Sequence, residues 1–373
     1  MQLIIAILVA IIIYMTQQRL YCQLWNRNLK VNIDFHDNYV DCGEKTYLTE
    51  TIYNAKFLPL PVFHVKFSTD RSFRFLDYEN AAVTDSYHRN DVFSIMGNQK
   101  ITRRLDFYTE KRGLYSIAGI DVVARDFFMT RSFARHIKNQ TELYVFPKKY
   151  ADAGFDALCH SLMGEIEVRR ALIEDPYTFC GIRDYDSNCN MRRINWKATA
   201  KTGDMKVNIY GHSAEQRIKI LLNMEPQVML KVGHIQGVSI ELASSIANYF
   251  LKDHIPVMLL SNGIDQITGE VGAVETGAAL EHMVSIDKYL ARIIDNAGLD
   301  TFMELLNREI AEKDPNISYV IISPYCKEDL LVKTDYLVQL GMDVSMVVPY
   351  YDIQTLDISR SYIHGWEVKL DEA

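Results

Sequence analysis

The string from Gly181 to Lys201, G-I-R-D-Y-D-S-N-C-N-M-R-R-I-N-W-K-A-T-A-K, holds the densest set of side chains able to do chemistry. Arg183, Arg192, Arg193, Lys197 and Lys201 surround Tyr185 and Trp196. Guanidinium forks and ammonium groups grip phosphate or carboxylate, and aromatic faces beside them act as platforms. The string reads either as a cationic patch for an anion or an acidic protein surface, or as a structural tie. In the second case Trp196 and Ile194 anchor a core and the arginines pair with Asp184 and Asp186. Residue types alone favour the tie, because arginines near carboxylates are most often structural and tryptophan is most often buried. A second candidate is Thr268-Gly269-Glu270-Val271-Gly272, ahead of a helix expected near Thr276-Gly277. Its N–H groups could hold an anion, although a plain connecting loop fits the same residues better. Cys159-His160 are neighbours, but adjacency in sequence does not make a catalytic pair. The histidines show no ligand spacing, and His234, His254 and His282 read as surface or satisfied core residues. The chain has no G-x-x-x-x-G-K-[ST], H-E-x-x-H, G-x-S-x-G or C-x-x-C. No enzymatic activity and no cofactor are expected.

These residues need a scaffold, and the composition bounds it. The chain has 373 residues, a formal net charge of −8, 48% hydrophobic and 24% charged residues. That excludes disordered, collagen-like and low-complexity classes. The length predicts two domains, and the mild acidity argues against a nucleic-acid partner. Six cysteines without paired spacing read as free thiols of a reducing compartment.

The N-terminus sets the expected location. Leu3 to Met15 is an unbroken apolar run, and no charge occurs before Arg19. As a helix the run spans about 20 Å, against about 30 Å for a hydrocarbon core, and the whole uncharged stretch comes closer. Tyr14, Tyr21 and Trp25 stand where an interfacial aromatic belt would be. The segment lacks the positive start and small-residue cleavage site of a signal peptide, and Ile4 to Ile13 lacks the polar face of a core helix. A single-pass membrane anchor is the reading that remains. Arg19, Arg27 and Lys30 follow it, which predicts a cytoplasmic body. On such a chain the acceptor-like tripeptides Asn139-Gln140-Thr141 and Asn316-Ile317-Ser318 carry no meaning.

Beyond the anchor and its juxtamembrane segment (1–30), three segments are expected. In 31–150 the hydrophobic pattern has period two, at Val31–Phe35, Tyr47–Tyr53, Val62–Phe67, Ile101–Tyr108 and Leu114–Val123. Turn residues such as Asp41-Cys42-Gly43, Gly97-Asn98 and Arg112-Gly113 punctuate it, which predicts an antiparallel β-sandwich. Segment 151–210 connects. In 211–373 short apolar runs at Ile218–Leu222, Ile255–Leu260, Tyr319–Ile322 and Val344–Val348 alternate with helical stripes. One stripe is Ile240, Ala243, Ile246, Ala247 and Phe250; another is Phe302, Leu305, Leu306 and Ile310. A third, Leu330, Leu331, Thr334, Leu337 and Val338, ends at Gly341. Strand-helix alternation predicts a doubly wound α/β domain, so the fold class is α+β multidomain.

The string 181–201 resembles the signature of the domain-of-unknown-function fifty-eight family, roughly G-x-R-x-Y-x-x-G-D-x-x-R-x-I-x-W-x-x-x-A-R. Gly181, Arg183, Tyr185, Arg192, Ile194, Trp196 and Ala200 fall on its positions. Lys111-Arg112-Gly113-Leu114-Tyr115, Asp126-Phe127-Phe128, Leu143-Tyr144-Val145-Phe146-Pro147 and the Pro59/Pro61 stretch resemble further motifs of the same family, in order along the chain. The family's Gly-Asp is Asn188-Cys189 here, its closing Arg is Lys201, and one hydrophobic segment replaces the usual pair. The resemblance implies membrane helix, β-sandwich, signature and then a von Willebrand factor A-like α/β domain. Such a domain can bind a divalent cation through D-x-S-x-S after its first strand. Here Asn223-Met224-Glu225-Pro226-Gln227 follows that strand, and Ser323-Pro324-Tyr325 replaces an Asp loop. One carboxylate with two amides, Asn223, Glu225 and Gln227, makes a poor site for a hard cation, so no metal is expected.

The family resemblance implies a partner, a MoxR-type AAA+ ATPase or another von Willebrand A-like protein. The leading expectation is a membrane-anchored, non-enzymatic adaptor, with Arg183, Tyr185, Arg192, Arg193, Trp196, Lys197 and Lys201 as candidate partner-binding residues. The alternative is an anion- or phosphate-binding protein or enzyme using segment 183–201.

Overall fold

The computed structural model describes residues 2–76, 81–83, 86–172, 179–186, 191, 194–210, 217–226, 232–294, 301–312, 314, 316–351 and 360–368. The chain divides into two compact units, Met1–Lys148 and Lys149–Ala373.

The first unit opens with α1 (Gln2–Leu24), whose apolar residues from Leu3 to Met15 are exposed. It is long and apolar enough to cross a membrane. Ten strands follow: β1 (Leu29–Phe35), β2 (Tyr39–Asp41), β3 (Lys45–Asn54), β4 (Leu60–Asp70), β5 (Phe73–Phe75), β6 (Ala81–Val83), β7 (Ser86–Ile95), β8 (Gln99–Thr109), β9 (Gly113–Arg125) and β10 (Ser132–Phe146). They form two sheets, ordered β1-β3-β8-β5 and β2-β10-β9-β4-β7-β6. All pairings are antiparallel except β2 with β10. Strict alternation produces this arrangement: in β1, Leu29, Val31, Ile33 and Phe35 are buried and the residues between them exposed. Both sheets feed one core, through Ile33, Leu48 and Phe107 from the first and Phe63, Val122 and Leu143 from the second. The end of α1 joins that core, with Tyr21 and Trp25 buried in it.

Asn139 closes one edge of the sandwich. It sits at a bulge in β10, where its amide donates to Ile33 O (2.8 Å) and Ile117 O (3.2 Å). The Asn139 side chain is buried and bonded, so this tripeptide is no accessible acceptor in the folded protein.

The second unit begins with α2 (Ala153–Leu172), then β11 (Phe179–Asp184), α3 (Trp196–Thr202) and β12 (Lys206–Tyr210). The described residues of segment 151–210 therefore form a helix, a two-stranded sheet and a short second helix. Phe155, Leu158, Cys159 and Leu162 of α2 belong to the α/β core, and β11 pairs antiparallel with β12. The α/β layers use β13 (Arg217–Leu222), α4 (Val232–Lys252), β14 (Val257–Asp265), β15 (Val271–Gly277), α5 (His282–Arg292), β16 (Ile293–Ile294), α6 (Thr301–Glu312), β17 (Ile317–Ile322), α7 (Glu328–Gln339), β18 (Asp343–Tyr351) and β19 (Ile363–Val368). The sheet order is β15-β14-β13-β17-β18-β19, with β16 paired to β14. The strands from β14 to β19 along that path are parallel, and the edge strand β15 is antiparallel.

Ile218, Ile220 and Leu222 pack with α2, α4 and α5 on one face, while Leu221, Tyr319 and Ile321 pack with α6 and α7 on the other. Burial on both faces explains why these strands read as nearly continuous apolar runs, interrupted in β13 by Lys219. Gly341 ends α7 with φ +81°, a left-handed conformation that suits glycine.

One expectation is corrected here. Thr268 to Gly272 does not lead into a helix; Thr268, Gly269 and Glu270 turn the β14–β15 hairpin and Val271 opens β15. The β-branched Val271, Val274 and Thr276 let the segment extend against β14, and the helix begins only at His282.

Candidate functional site

The doubly wound order reverses between β13 and β17. Chain leaving β13 runs to β14 on one side, and chain leaving β17 runs to β18 on the other. This opens a crevice at the carboxyl ends of the strands, where α/β folds place ligands. Asn223, Met224 and Glu225 leave β13 there, Asn262 lies on β14, Thr301 starts α6, and Ser323 and Tyr325 leave β17.

These residues bond to one another. Asn223 Nδ2 donates to Ser323 Oγ at 3.1 Å, and Asn223 Oδ1 accepts the Glu225 N–H at 2.9 Å. Asn262 Oδ1 accepts the Met224 N–H at 2.7 Å, while its Nδ2 donates to Thr301 Oγ1 at 3.0 Å and reaches Asn223 Oδ1 at 3.4 Å. Glu225 Oε1 accepts the Phe302 N–H at 2.8 Å. The Tyr325 hydroxyl donates to Glu225 Oε2. Gln236 of α4 donates to Met224 O. Asn223, Glu225, Asn262, Ser323 and Tyr325 are all buried.

The local sequence explains the arrangement. Helix α6 exposes unpaired N–H groups at its first turn, and a carboxyl group there satisfies one and complements the helix dipole. Above the network, Lys327 Nζ lies 4.5 Å from the centroid of the Tyr325 ring. Burial pushes the neighbouring Cys326 thiol up to about 11, which keeps it protonated and inert at neutral pH. The arrangement can hold three strand ends and a helix start in register. Among the described residues, no three His, Cys, Asp or Glu side chains are grouped to hold a metal ion. Gln227 lies outside the described residues.

The basic string divides. Arg192 and Arg193 lie outside the described residues. Arg183 lies on β11, Tyr185 just after it, and Trp196, Lys197 and Lys201 on α3. Asn195 caps α3, its side chain accepting the Ala198 N–H at 2.9 Å. Ile194 is buried and bridges to Val207. Trp196 is 70% exposed, so it is not the core anchor that its residue type suggested. No residue of α3 is buried, so this short helix offers Trp196 no interior to anchor in. Ile182, Met191 and Met205 are exposed in the same module. Lys206 Nζ pairs with Asp184, a carboxylate expected to serve the arginines.

Sequence reasoning identified Asn223, Glu225 and Ser323-Pro324-Tyr325 but missed Asn262, Thr301 and Gln236. Asn262 was accessible: it follows the apolar run of β14 at the level where neighbouring strands end. Cys159 is fully buried, and burial pushes its thiol up to about 12, which removes Cys159-His160 as a nucleophile pair. His282 Nε2 lies 3.1 Å from Val257 O and His234 Nδ1 3.0 Å from the Tyr351 hydroxyl.

No family model and no curated protein matches the chain. Among solved structures, the chain is similar to the OlpA cohesin–Doc918 complex from Clostridium thermocellum. Identity is 10%, over 31% of this chain and 99% of that one, with TM-score 0.22. A non-cellulosomal cohesin from Archaeoglobus fulgidus is 11% identical over 35% of this chain and 97% of that one, with TM-score 0.22. The sporulation control protein Spo0M from Bacillus subtilis is 12% identical over 43% of this chain and 58% of that one, with TM-score 0.19. At these scores the likeness carries no weight for fold or function.

Proposed function

We propose that this chain is a membrane-anchored, non-enzymatic adaptor whose α/β unit is a von Willebrand factor A-like domain that recognises its partner without a metal ion. The carrying observation is the state of the strand-end crevice. Glu225, which follows β13 there, has its carboxyl group committed to Phe302 N and the Tyr325 hydroxyl. The strand order, equivalent to 3-2-1-4-5-6 with an antiparallel edge, supports the domain assignment. The exposed apolar run of α1 supports anchoring in the cell membrane, with the body in the cytoplasm. A MoxR-type AAA+ ATPase or a second von Willebrand A-like protein is the proposed partner, in keeping with the family resemblance. Exposed Trp196, flanked by Lys197 and Lys201, is the proposed contact. An exposed tryptophan beside cations suits a partner that offers an apolar pocket rimmed by acidic residues.

The test is capture of the AAA+ ATPase by the full chain from detergent extract, with and without chelator. Equal capture in both, reduced by Trp196→Ala, is the expected result. Capture that strictly needs Mg²⁺, or no ATPase among the captured proteins, overturns the reading. The anion-binding alternative loses one of its two supports, because the Gly269 segment turns a hairpin instead of opening a helix.

A further inference from the structure

The β9–β10 hairpin ends in Asp126-Phe127-Phe128-Met129-Thr130-Arg131. Phe127, Phe128 and Met129 are 60%, 49% and 57% exposed. Three successive large apolar side chains in water are costly, and an exposed cluster of this kind marks a contact surface.

The loop is firmly built. Met129 N–H donates to Asp126 O at 3.0 Å, and Met129 takes φ +58°, a conformation disfavoured for its side chain. The buried Asp126 carboxylate holds the turn. It accepts from Arg131 N–H at 2.9 Å and Thr130 Oγ1 at 2.7 Å. Its third donor comes from the anchor helix, Gln17 Nε2 at 3.3 Å. The Tyr14 hydroxyl of the same helix donates to Thr130 Oγ1 at 3.3 Å, and the Tyr14 ring lies 6.1 Å from that of Phe128. Lower on the helix, the Tyr21 hydroxyl donates to Pro59 O at 2.9 Å, and Trp25 stacks on Phe133 with centroids 5.9 Å apart. The hairpin tip is therefore fixed beside α1 at the height of Tyr14 to Gln17.

We propose that Phe127, Phe128 and Met129 form a second membrane contact, a wedge that enters the boundary between headgroups and acyl chains of the bilayer that holds α1. The proposal rests on the reading of α1 as a membrane anchor. Arg19 is the first charged side chain after the apolar run and belongs among the headgroups. Tyr14 stands five residues further up the helix, hence about 7 Å deeper. Phe128, packed on Tyr14, shares that depth, which matches the roughly 5–10 Å at which interfacial apolar elements sit. Exposed Arg125 and Arg131 bracket the tip in sequence and suit the phosphate layer around it.

The experiment places a tryptophan at the tip. The full chain carrying Phe128→Trp is reconstituted into phosphatidylcholine/phosphatidylglycerol vesicles, with or without lipids brominated near the headgroup end of the acyl chain. The unsubstituted chain supplies the background of its own tryptophans, and Leu8→Trp reports on the helix. The emission added by Phe128→Trp is expected to fall roughly twofold in brominated vesicles, as for an interfacial side chain. Quenching of Leu8→Trp alone overturns the wedge and leaves the anchor standing. Quenching of neither overturns both, and quenching of Phe128→Trp alone removes the anchor from which the wedge's depth is argued and so overturns the proposal.

Discussion

The Glu225 carboxylate accepts the Phe302 N–H at 2.8 Å, so the acidic side chain that follows β13 is joined to the start of α6. The Tyr325 hydroxyl occupies its other oxygen. The carboxylate works here as a structural joint.

Glu225→Ala leaves the Phe302 N–H and the Tyr325 hydroxyl buried without their acceptor. Chemical denaturation of the full chain in detergent is expected to show a loss of about 2–3 kcal/mol. Glu225→Gln, which keeps an acceptor, should lose less. The melting temperature of the unsubstituted protein should stay fixed across a magnesium or manganese titration.

Glu50, on β3, is buried and has no hydrogen-bond partner at either carboxyl oxygen among the described residues. Burial first, and then the Asp91 charge, push its pKa up to about 8 against the pull of Arg103 and Arg89. The unfolded chain releases this proton near pH 4.3, while the folded chain keeps it to about pH 8, so ionisation costs stability as pH rises between those values. Glu50→Gln removes that cost. The variant is expected to gain on the unsubstituted protein from about pH 4 upward, by roughly 4 kcal/mol at pH 7, and to level off above about pH 8. Denaturation midpoints of both proteins across that range provide the check.

Lys219 of β13 and Glu309 of α6 form a buried ion pair at 2.7 Å. Lys219→Met strands the glutamate and is expected to cost about 3–5 kcal/mol, whereas Lys219→Met with Glu309→Leu should recover most of the loss. Urea unfolding of the two variants separates the outcomes.

Trp196→Ala removes an exposed side chain, so the melting curve should move little, within about 0.5 kcal/mol. Partner capture should nevertheless fall. A variant that loses stability instead would place Trp196 in the fold's support.

Much of the scaffold was legible because the two units bury their residues differently. β1 alternates buried and exposed positions, and β13 buries five residues in succession, all apolar except Lys219, so period two and the mostly apolar run were both visible. Helix α7 and its stop at Gly341 were visible for the same reason. Helix α2 was missed within a segment taken as a connection, since Phe155, Leu158 and Leu162 only acquire meaning once the sheet they cover exists. Trp196 defies its type, because α3 buries none of its residues and gives the ring no interior to enter. The crevice was half legible: Asn223 and Glu225 lie close in sequence, while Asn262, Thr301 and Tyr325 meet them only through strand order.

Tyr21 and Trp25 belong to α1 and to the sandwich interior at once. Proteolysis between Met15 and Arg19 would therefore leave the sandwich interior complete. A cut beyond Trp25 would strip two aromatic rings from that interior and leave the released fragment prone to aggregate.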